Sequence, residues 1–182
     1  MTHCGTQKLE TERLILRPFS LNDVSAMYRN WASDDQVTKF LTWPAHESEE
    51  ITRMILSDWL THYQEENYYH WGIELKELGE VIGSLAVVAI RENIGEAEIG
   101  YCLGKEWWGN GIMPEAAAAA VDYLFRKAGF RRISACHDKN NPASGRVMQK
   151  IGMQYEGTLR NADRNNQGIV DKVIYGILMD DD

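Results

Sequence analysis

Hydrophobic periodicity divides the N-terminal third of the chain into one strand and two helices. LILRPF (14–19) has the pattern of a short strand that a proline ends. Ser20 followed by Asp23 is typical of a capping box and predicts a helix up to about residue 31. Apolar residues recur every four positions between residues 51 and 63, which predicts a second helix over residues 48–63.

Three mainly apolar segments follow and predict a meander of strands. They are YYHWGIEL (68–75), VIGSLAVVAI (81–90) and AEIGYCL (97–103), and the turns ELGE and RENIG separate them. In the third segment the apolar side chains share one face, so Glu98 is expected on the opposite face.

A glycine-containing loop and a helix come after the third of these strands. WWGNGIMPEA (107–116) opens an alanine-rich helix, in which Pro114 is expected at the first helical position and Gly129 at the end. RRISACH (131–137) has the pattern of a strand, and the helix before it predicts that it lies parallel to residues 97–103. The result is a βαβ unit with the glycine loop at its first turn.

The C-terminal part of the chain adds one helix and two strands. The helix is predicted over residues 143–151, and the strands over residues 153–160 and 170–179, with a turn at RNNQG (164–168) between them. No repeat or linker interrupts the pattern. We therefore predict a single α+β domain over residues 1–182 with a mixed sheet.

Composition and charge exclude several classes of protein. The chain has 182 residues, of which 44% are hydrophobic, as in globular proteins, and its net charge of −8 argues against binding nucleic acid through phosphates. No apolar run approaches the roughly 20 residues of a membrane span, and the N-terminus lacks a signal-peptide core, so a cytoplasmic location without membrane contact is expected. Three widely spaced cysteines indicate neither disulfides nor zinc, and no metal site is expected.

The glycine loop has several interpretations as a phosphate site. A P-loop needs Lys and then Ser or Thr after its second glycine, but Ile112 and Met113 stand there. A dinucleotide-binding loop needs a third glycine, but Pro114 replaces it. Two interpretations remain, namely an anion site built from the N–H groups of Gly109 to Met113, and a plain turn into the helix.

Five segments carry a resemblance to a known family: LETERLILRPF (9–19), GEAEIGYCL (95–103), WWGNGIMPEA (107–116), NNPAS (140–144) and KIGMQYEGTLR (150–160). Together they resemble the GNAT acetyltransferase superfamily, in its RimJ/RimL-type branch of ribosomal-protein N-terminal alanine and serine acetyltransferases. Residues 20–68 match only in kind. The resemblance implies the GNAT fold, a mixed and mostly antiparallel sheet splayed at the cofactor site with helices on both faces. It also implies acetyl-CoA as co-substrate.

The resemblance assigns cofactor contacts to three groups of residues. The loop that would hold the pyrophosphate and pantetheine consists of Trp108, Gly109, Asn110, Gly111, Ile112 and Met113. The strand end whose backbone would pair with the pantetheine arm consists of Tyr101, Cys102 and Leu103. Asn141 and Ser144 would form a further contact near the thioester sulfur. Glu106 departs from the family's usual Gln or Arg, so it either points away from the pyrophosphate or weakens cofactor affinity.

Acetyl transfer to an amine needs an uncharged amine, a polarised carbonyl and a proton for the leaving thiolate. Glu98 is the first candidate base, acting through a water, although a solvated strand carboxylate fits the pattern equally well. Glu156, in the last matching segment, is the second candidate. By resemblance to the RimL branch, Ser144 is the candidate acid, and it also suits a helix cap.

These observations predict transfer of an acetyl group from acetyl-CoA to a primary amine by direct transfer in a ternary complex. The expected acceptor is the N-terminal α-amino group of a protein, and the alternatives are a small-molecule amine such as a polyamine, amino acid or antibiotic, or a non-catalytic acyl-CoA sensor. The pocket for the acceptor is expected from residues 31–63, which contain Trp31, Trp43, His46 and Trp59. An exposed sheet edge is compatible with a homodimer.

Overall fold

The computed structural model describes residues 1–181, and its centre is an eight-stranded mixed sheet. The strands are β1 (Leu9–Glu10), β2 (Leu14–Arg17), β3 (His70–Leu75), β4 (Glu80–Arg91), β5 (Glu96–Leu103), β6 (Arg132–Asp138), β7 (Gln154–Asn165) and β8 (Gly168–Leu178). Their spatial order is β1-β2-β3-β4-β5-β6-β8-β7. The pair β5 and β6 is parallel, and the other neighbouring pairs are antiparallel. The predicted mixed, mostly antiparallel sheet is confirmed.

Helices cover both faces of the sheet. They are α1 (Val24–Met27), α2 (Asp35–Thr38), α3 (Glu49–His62), α4 (Ile112–Arg126) and α5 (Pro142–Lys150). Val81 and Ile82 are consecutive in β4 and therefore point to opposite faces, and each belongs to a different apolar cluster. Helices α4 and α5 pack on the face of Ile82, whereas α1, α2 and α3 pack on the face of Val81. Within residues 1–181, none of the helices has the length and apolar character that a bilayer span requires.

The first predicted helix is correct in place but irregular in form. The Ser20 backbone N–H donates to Asp23 Oδ2 at 2.7 Å, as the capping box predicts. A 3₁₀ turn then leads into α1, and a π-helical turn over Tyr28–Ala32 ends the segment. Trp31, in the π turn, is buried in the same apolar cluster as Leu56 of α3. The second helix, α3, agrees with its prediction.

The start of α4 differs from the prediction. Gly111 has a φ of +75° and is the N-cap, so the helix begins at Ile112 and Pro114 is its third residue instead of its first. Burial of Ile112 and Met113 explains the earlier start, because both side chains join the main core. The free N–H groups of the first turn therefore belong to the glycine loop itself. At its other end α4 finishes at Arg126, three residues before the predicted glycine.

The C-terminal hairpin is longer than predicted. Strand β7 continues past residue 160 to Asn165, and β8 begins at Gly168, which leaves a two-residue turn. The pairing register of β7 with β8 shifts between Leu159 and Asp163, and the polar residues without a strand pattern lie at this irregularity. This extra length carries the turn across to the region around α2, where Asn166 forms hydrogen bonds.

Candidate active site

The site lies where β5 and β6 separate. Their parallel pairing ends at Ile99 and Ala135, although β5 continues to Leu103 and β6 to Asp138. A cavity of about 620 Å³ occupies the gap, within the size range of ligand pockets. Residues from α4, α5, the glycine loop and the α2 region line it. The splay that the resemblance implied is therefore present.

The glycine loop forms one wall of this cavity. Gly109 and Gly111 have φ values of +79° and +75°, a backbone conformation that residues with a Cβ rarely adopt. Of the six predicted loop contacts, all except Asn110 line the cavity. The positive end of the α4 dipole lies at the same place, so the wall suits a diphosphate.

The end of β5 forms the floor of the cavity. Tyr101, Cys102 and Leu103 all line it, as predicted for the strand that meets the pantetheine arm. The indole of Trp108 folds back on this strand and its Nε1–H donates to the Leu103 carbonyl oxygen at 2.7 Å. Burial raises the pKa of the Cys102 thiol to about 11, so the thiol is protonated at neutral pH.

Ser144 and Tyr101 form a hydrogen-bonded pair at the N-terminus of α5. The Ser144 hydroxyl donates to the Tyr101 hydroxyl at 3.1 Å, and the Tyr101 hydroxyl donates to the Ser144 carbonyl oxygen at 2.9 Å. Burial raises the pKa of Tyr101 well above its ordinary value, which keeps the phenol protonated. Asn141 is the N-cap of α5 and lines the same cavity. Sequence reasoning did not link the Tyr101 side chain to Ser144.

The two candidate bases occupy different surroundings. Glu98 lies directly behind the cavity wall, because its Oε1 accepts a hydrogen bond at 3.2 Å from the thiol of Cys136, which lines the cavity. Lys172 Nζ is 3.6 Å from the same oxygen. Glu156 instead pairs with Arg132 through both carboxylate oxygens, on strand β7 at the edge of the sheet. Of the two carboxylates, only Glu98 contacts a cavity-lining side chain through a side-chain hydrogen bond among the described residues.

Glu106 does not approach the cavity. It is exposed in a 3₁₀ turn over Lys105–Trp107, and the cavity wall includes Trp107 and Trp108 but not Glu106. Glu106 was expected either to point away from the pyrophosphate or to weaken cofactor affinity, and its position outside the cavity lining agrees with the first.

Part of the segment expected to shape the acceptor pocket, residues 31–63, does line the cavity, but its tryptophans do not. Trp31 is 1% exposed and belongs to the core under α3, with Trp43 and Trp59 packed against it. The cavity residues from this part of the chain are instead Gln36, Val37, Phe40 and Leu41. The tryptophans were misleading because large aromatic side chains fill cores as readily as they line pockets.

Two contacts that shape the site were not predicted. Asn166, in the β7–β8 turn, binds the backbone of Thr38, Leu41 and Trp43, and so holds the segment that carries the cavity residues Phe40 and Leu41. Arg13 donates to the carbonyl oxygen of Asn110 in the glycine loop at 2.9 Å. Each contact joins residues about 100 or more positions apart, so no local pattern could reveal it.

The splayed sheet, the glycine loop and the cavity beside them are the features that the resemblance implied for an acetyltransferase. The profile of the acetyltransferase (GNAT) domain matches residues 13–154. The chain belongs to the GNAT acetyltransferase family, and it is an acetyl-CoA-dependent N-acetyltransferase.

Similar proteins support this assignment. The N-acetyltransferase YoaA of Bacillus subtilis is 35% identical over 170 residues, which cover 93% of this chain and 96% of YoaA. The [ribosomal protein uS5]-alanine N-acetyltransferase of Escherichia coli is 30% identical over 90 residues, 49% of this chain and 46% of the relative. The solved structure of RimL, a ribosomal L7/L12 α-N-protein acetyltransferase in complex with coenzyme A, superposes with a TM-score of 0.85 at 24% identity, covering 97% of this chain and all of RimL.

Proposed function

We propose that the protein acetylates the N-terminal α-amino group of a protein substrate by direct transfer in a ternary complex. The observation that carries this proposal is the cavity of about 620 Å³ at the splay, which both the glycine loop and the α2 residues line. Such a cavity allows donor and acceptor to bind together and meet between β5 and β6. The names of the uS5-alanine and L7/L12 relatives support a protein N-terminus as acceptor. A ribosomal-protein acceptor would place the reaction in the cytoplasm.

In this proposal Glu98 withdraws the proton from the amine. A terminal α-amino group has a pKa of about 8, so a fraction is already neutral at pH 7 and the base need only shift that balance. Glu98 is separated from the cavity by the Cys136 side chain, which supports proton transfer through a water.

Ser144 supplies the hydrogen bond that stabilises the leaving thiolate. Its hydroxyl lies in the cavity wall next to Asn141, at the N-terminus of α5. In the structure the Ser144 hydroxyl donates to the Tyr101 hydroxyl, which in turn donates to the Ser144 backbone carbonyl oxygen. The Ser144 hydroxyl therefore turns from Tyr101 to the thiolate when it donates its single proton there. Acetyl-CoA, when bound, supplies the activated acetyl group, and the residues of the loop and of β5 hold it.

Direct transfer is favoured over an acyl-cysteine. Burial raises the pKa of Cys102 to about 11, and burial together with the charge of Glu98 raises that of Cys136 to about 12. Thiols with such pKa values are almost entirely protonated at neutral pH and are poor nucleophiles.

The test measures thiol release from acetyl-CoA with three sets of acceptors. The first set contains peptides that begin with Ala, Ser or Met and include an internal lysine. The second contains the same peptides with a blocked N-terminus, and the third contains polyamines and amino acids. We expect turnover with the free N-termini only.

Each other outcome contradicts a defined part of the proposal. Turnover of the blocked peptides would assign the reaction to lysine side chains. Turnover of the small amines alone would make the protein a small-molecule acetyltransferase. Coenzyme A binding in calorimetry without turnover of any acceptor would favour the acyl-CoA sensor.

A further inference from the structure

Arg13 contacts the glycine loop and does not itself line the cavity. Its Nη1 donates to the carbonyl oxygen of Asn110 at 2.9 Å, and its Nη2 is 3.5 Å from the position that a Cβ on Gly111 would take. Asn110 does not line the cavity, but its neighbours Gly109 and Gly111 do. The guanidinium therefore supports the loop from outside.

Glu115, in the first turn of α4, holds this guanidinium in place. Its Oε2 accepts from Arg13 Nε and lies 2.7 Å from Nη2, while its Oε1 accepts from the Arg13 backbone N–H at 3.0 Å. The Thr11 hydroxyl donates to the same Oε1 at 2.6 Å. The Glu115 side chain is 20% exposed, so one largely enclosed carboxylate fixes both the Arg13 backbone and its side chain.

This arrangement controls the direction of one loop N–H group. In a trans peptide the C=O and the N–H point in opposite directions. Because the Asn110 carbonyl points towards Arg13, the N–H of Gly111 in the same peptide points away from Arg13, and Gly111 itself lines the cavity. A positive charge on the carbonyl also polarises the peptide and makes this N–H a stronger donor.

We propose that Arg13, anchored by Glu115, is a positioning residue that aims the Gly111 N–H at the diphosphate of acetyl-CoA. The role rests on the proposed contact between the glycine loop and that diphosphate. It also answers an electrostatic problem, since an unpaired Glu115 in the first turn of α4 would repel a bound diphosphate.

The experiment compares two acetyl donors in the Arg13→Gln variant. S-acetylpantetheine has the thioester and the pantetheine arm but no diphosphate. We expect the calorimetric Kd for coenzyme A and the KM for acetyl-CoA to rise roughly tenfold, as for loss of one hydrogen bond to a charged group. The kcat and the KM for S-acetylpantetheine are expected to stay unchanged. The control is Arg126→Gln at the other end of α4, which removes the same charge from an exposed pair with Asp122. It is expected to leave the Kd for coenzyme A and the KM for both donors unchanged.

A second variant, Glu115→Gln, tests the same role if Arg13→Gln lowers the melting temperature. Glu115→Gln removes a negative charge, so simple repulsion predicts tighter binding of coenzyme A. The anchor role predicts weaker binding, because Arg13 loses its charged partner. Tighter binding would overturn the proposal.

The remaining outcomes separate Arg13 from the loop assignment. An equal rise of the KM for acetyl-CoA and for S-acetylpantetheine in Arg13→Gln would make Arg13 a general structural residue and overturn its positioning role. If Gly111→Val weakens binding of coenzyme A and Arg13→Gln does not, the loop assignment stands and the Arg13 role is wrong. If neither variant weakens binding of coenzyme A, the loop does not contact the diphosphate, and both the loop assignment and the Arg13 role are wrong.

Discussion

Asn166 Nδ2 donates to the carbonyl oxygen of Thr38 at 2.9 Å and so joins the β7–β8 turn to α2. The same amide binds the Trp43 carbonyl oxygen at 2.8 Å, and the Asn166 backbone N–H binds the Leu41 carbonyl oxygen at 3.0 Å. Phe40 and Leu41, in the segment between Thr38 and Trp43, line the cavity. The turn therefore fixes the backbone of a segment that is far from it in sequence.

Loss of the Asn166 hydrogen bonds should raise the KM for the acceptor and not the KM for the acetyl donor. In Asn166→Ala, we expect the KM for the peptide acceptor to rise roughly fivefold, as two neutral hydrogen bonds are lost, while the KM for acetyl-CoA stays unchanged. Steady-state kinetics with each substrate varied in turn measures both. The neighbouring Gln167→Ala is the matched control, and a rise of the acetyl-CoA KM in Asn166→Ala would contradict the anchor role.

The assignment of Glu98 as base predicts a loss confined to the chemical step. We expect Glu98→Gln to lower kcat by about 100-fold or more and to leave the calorimetric Kd for coenzyme A unchanged. Glu156→Gln is the matched control, because it removes the other candidate carboxylate, and its kcat should be that of the unmodified protein. The reverse result would transfer the role to Glu156.

The assignment of Ser144 predicts a defect that depends on the leaving thiol. Ser144→Ala should lower kcat roughly tenfold with acetyl-CoA, because the thiolate loses one hydrogen bond. The defect should shrink with an acetyl donor whose thiol is more acidic, since that thiolate needs less stabilisation. Rates with a series of thioesters test this, and a defect independent of thiol acidity would favour a plain capping role for Ser144.

Glu96 predicts how stability depends on pH. Its side chain is 3% exposed and contacts Arg91, Ser134 and Arg132. Burial raises its pKa, but the hydrogen bonds and charges of these partners prevail and lower it from 4.5 to about 2. Because the folded-state pKa is the lower one, the stabilisation is complete above about pH 4.5 and is lost as the pH falls towards 2.

The matching variant is Glu96→Gln, which leaves Arg91 without its carboxylate and removes one of the two carboxylates that contact Arg132. We expect it to lower the free energy of unfolding by about 3 kcal/mol at pH 7, and by less at pH 3. Urea unfolding at both pH values measures the difference. Glu80→Gln, which breaks an exposed pair with Arg29, should change the free energy of unfolding by less than about 1 kcal/mol. An equal loss at both pH values in Glu96→Gln would contradict the linkage.

Local patterns were sufficient for most of the secondary structure. The capping box, the four-residue spacing of α3 and the alternation of β3 to β5 depend on neighbouring residues, and each prediction is confirmed. The errors fall where distant contacts change a boundary. Burial of Ile112 moves the start of α4, and the bond from Asn166 accompanies a hairpin that continues through residues without a strand pattern.

The sequence by itself determined the βαβ order around the glycine loop and, through five matching segments, the acetyltransferase family. Tertiary structure alone decided which carboxylate lies behind the cavity, where Glu106 points and how Arg13 meets Asn110. The physical reason is the range of the interactions. Helix caps and strand alternation act within a few residues, whereas a site at a splayed sheet assembles side chains from strands, loops and helices that only packing brings together.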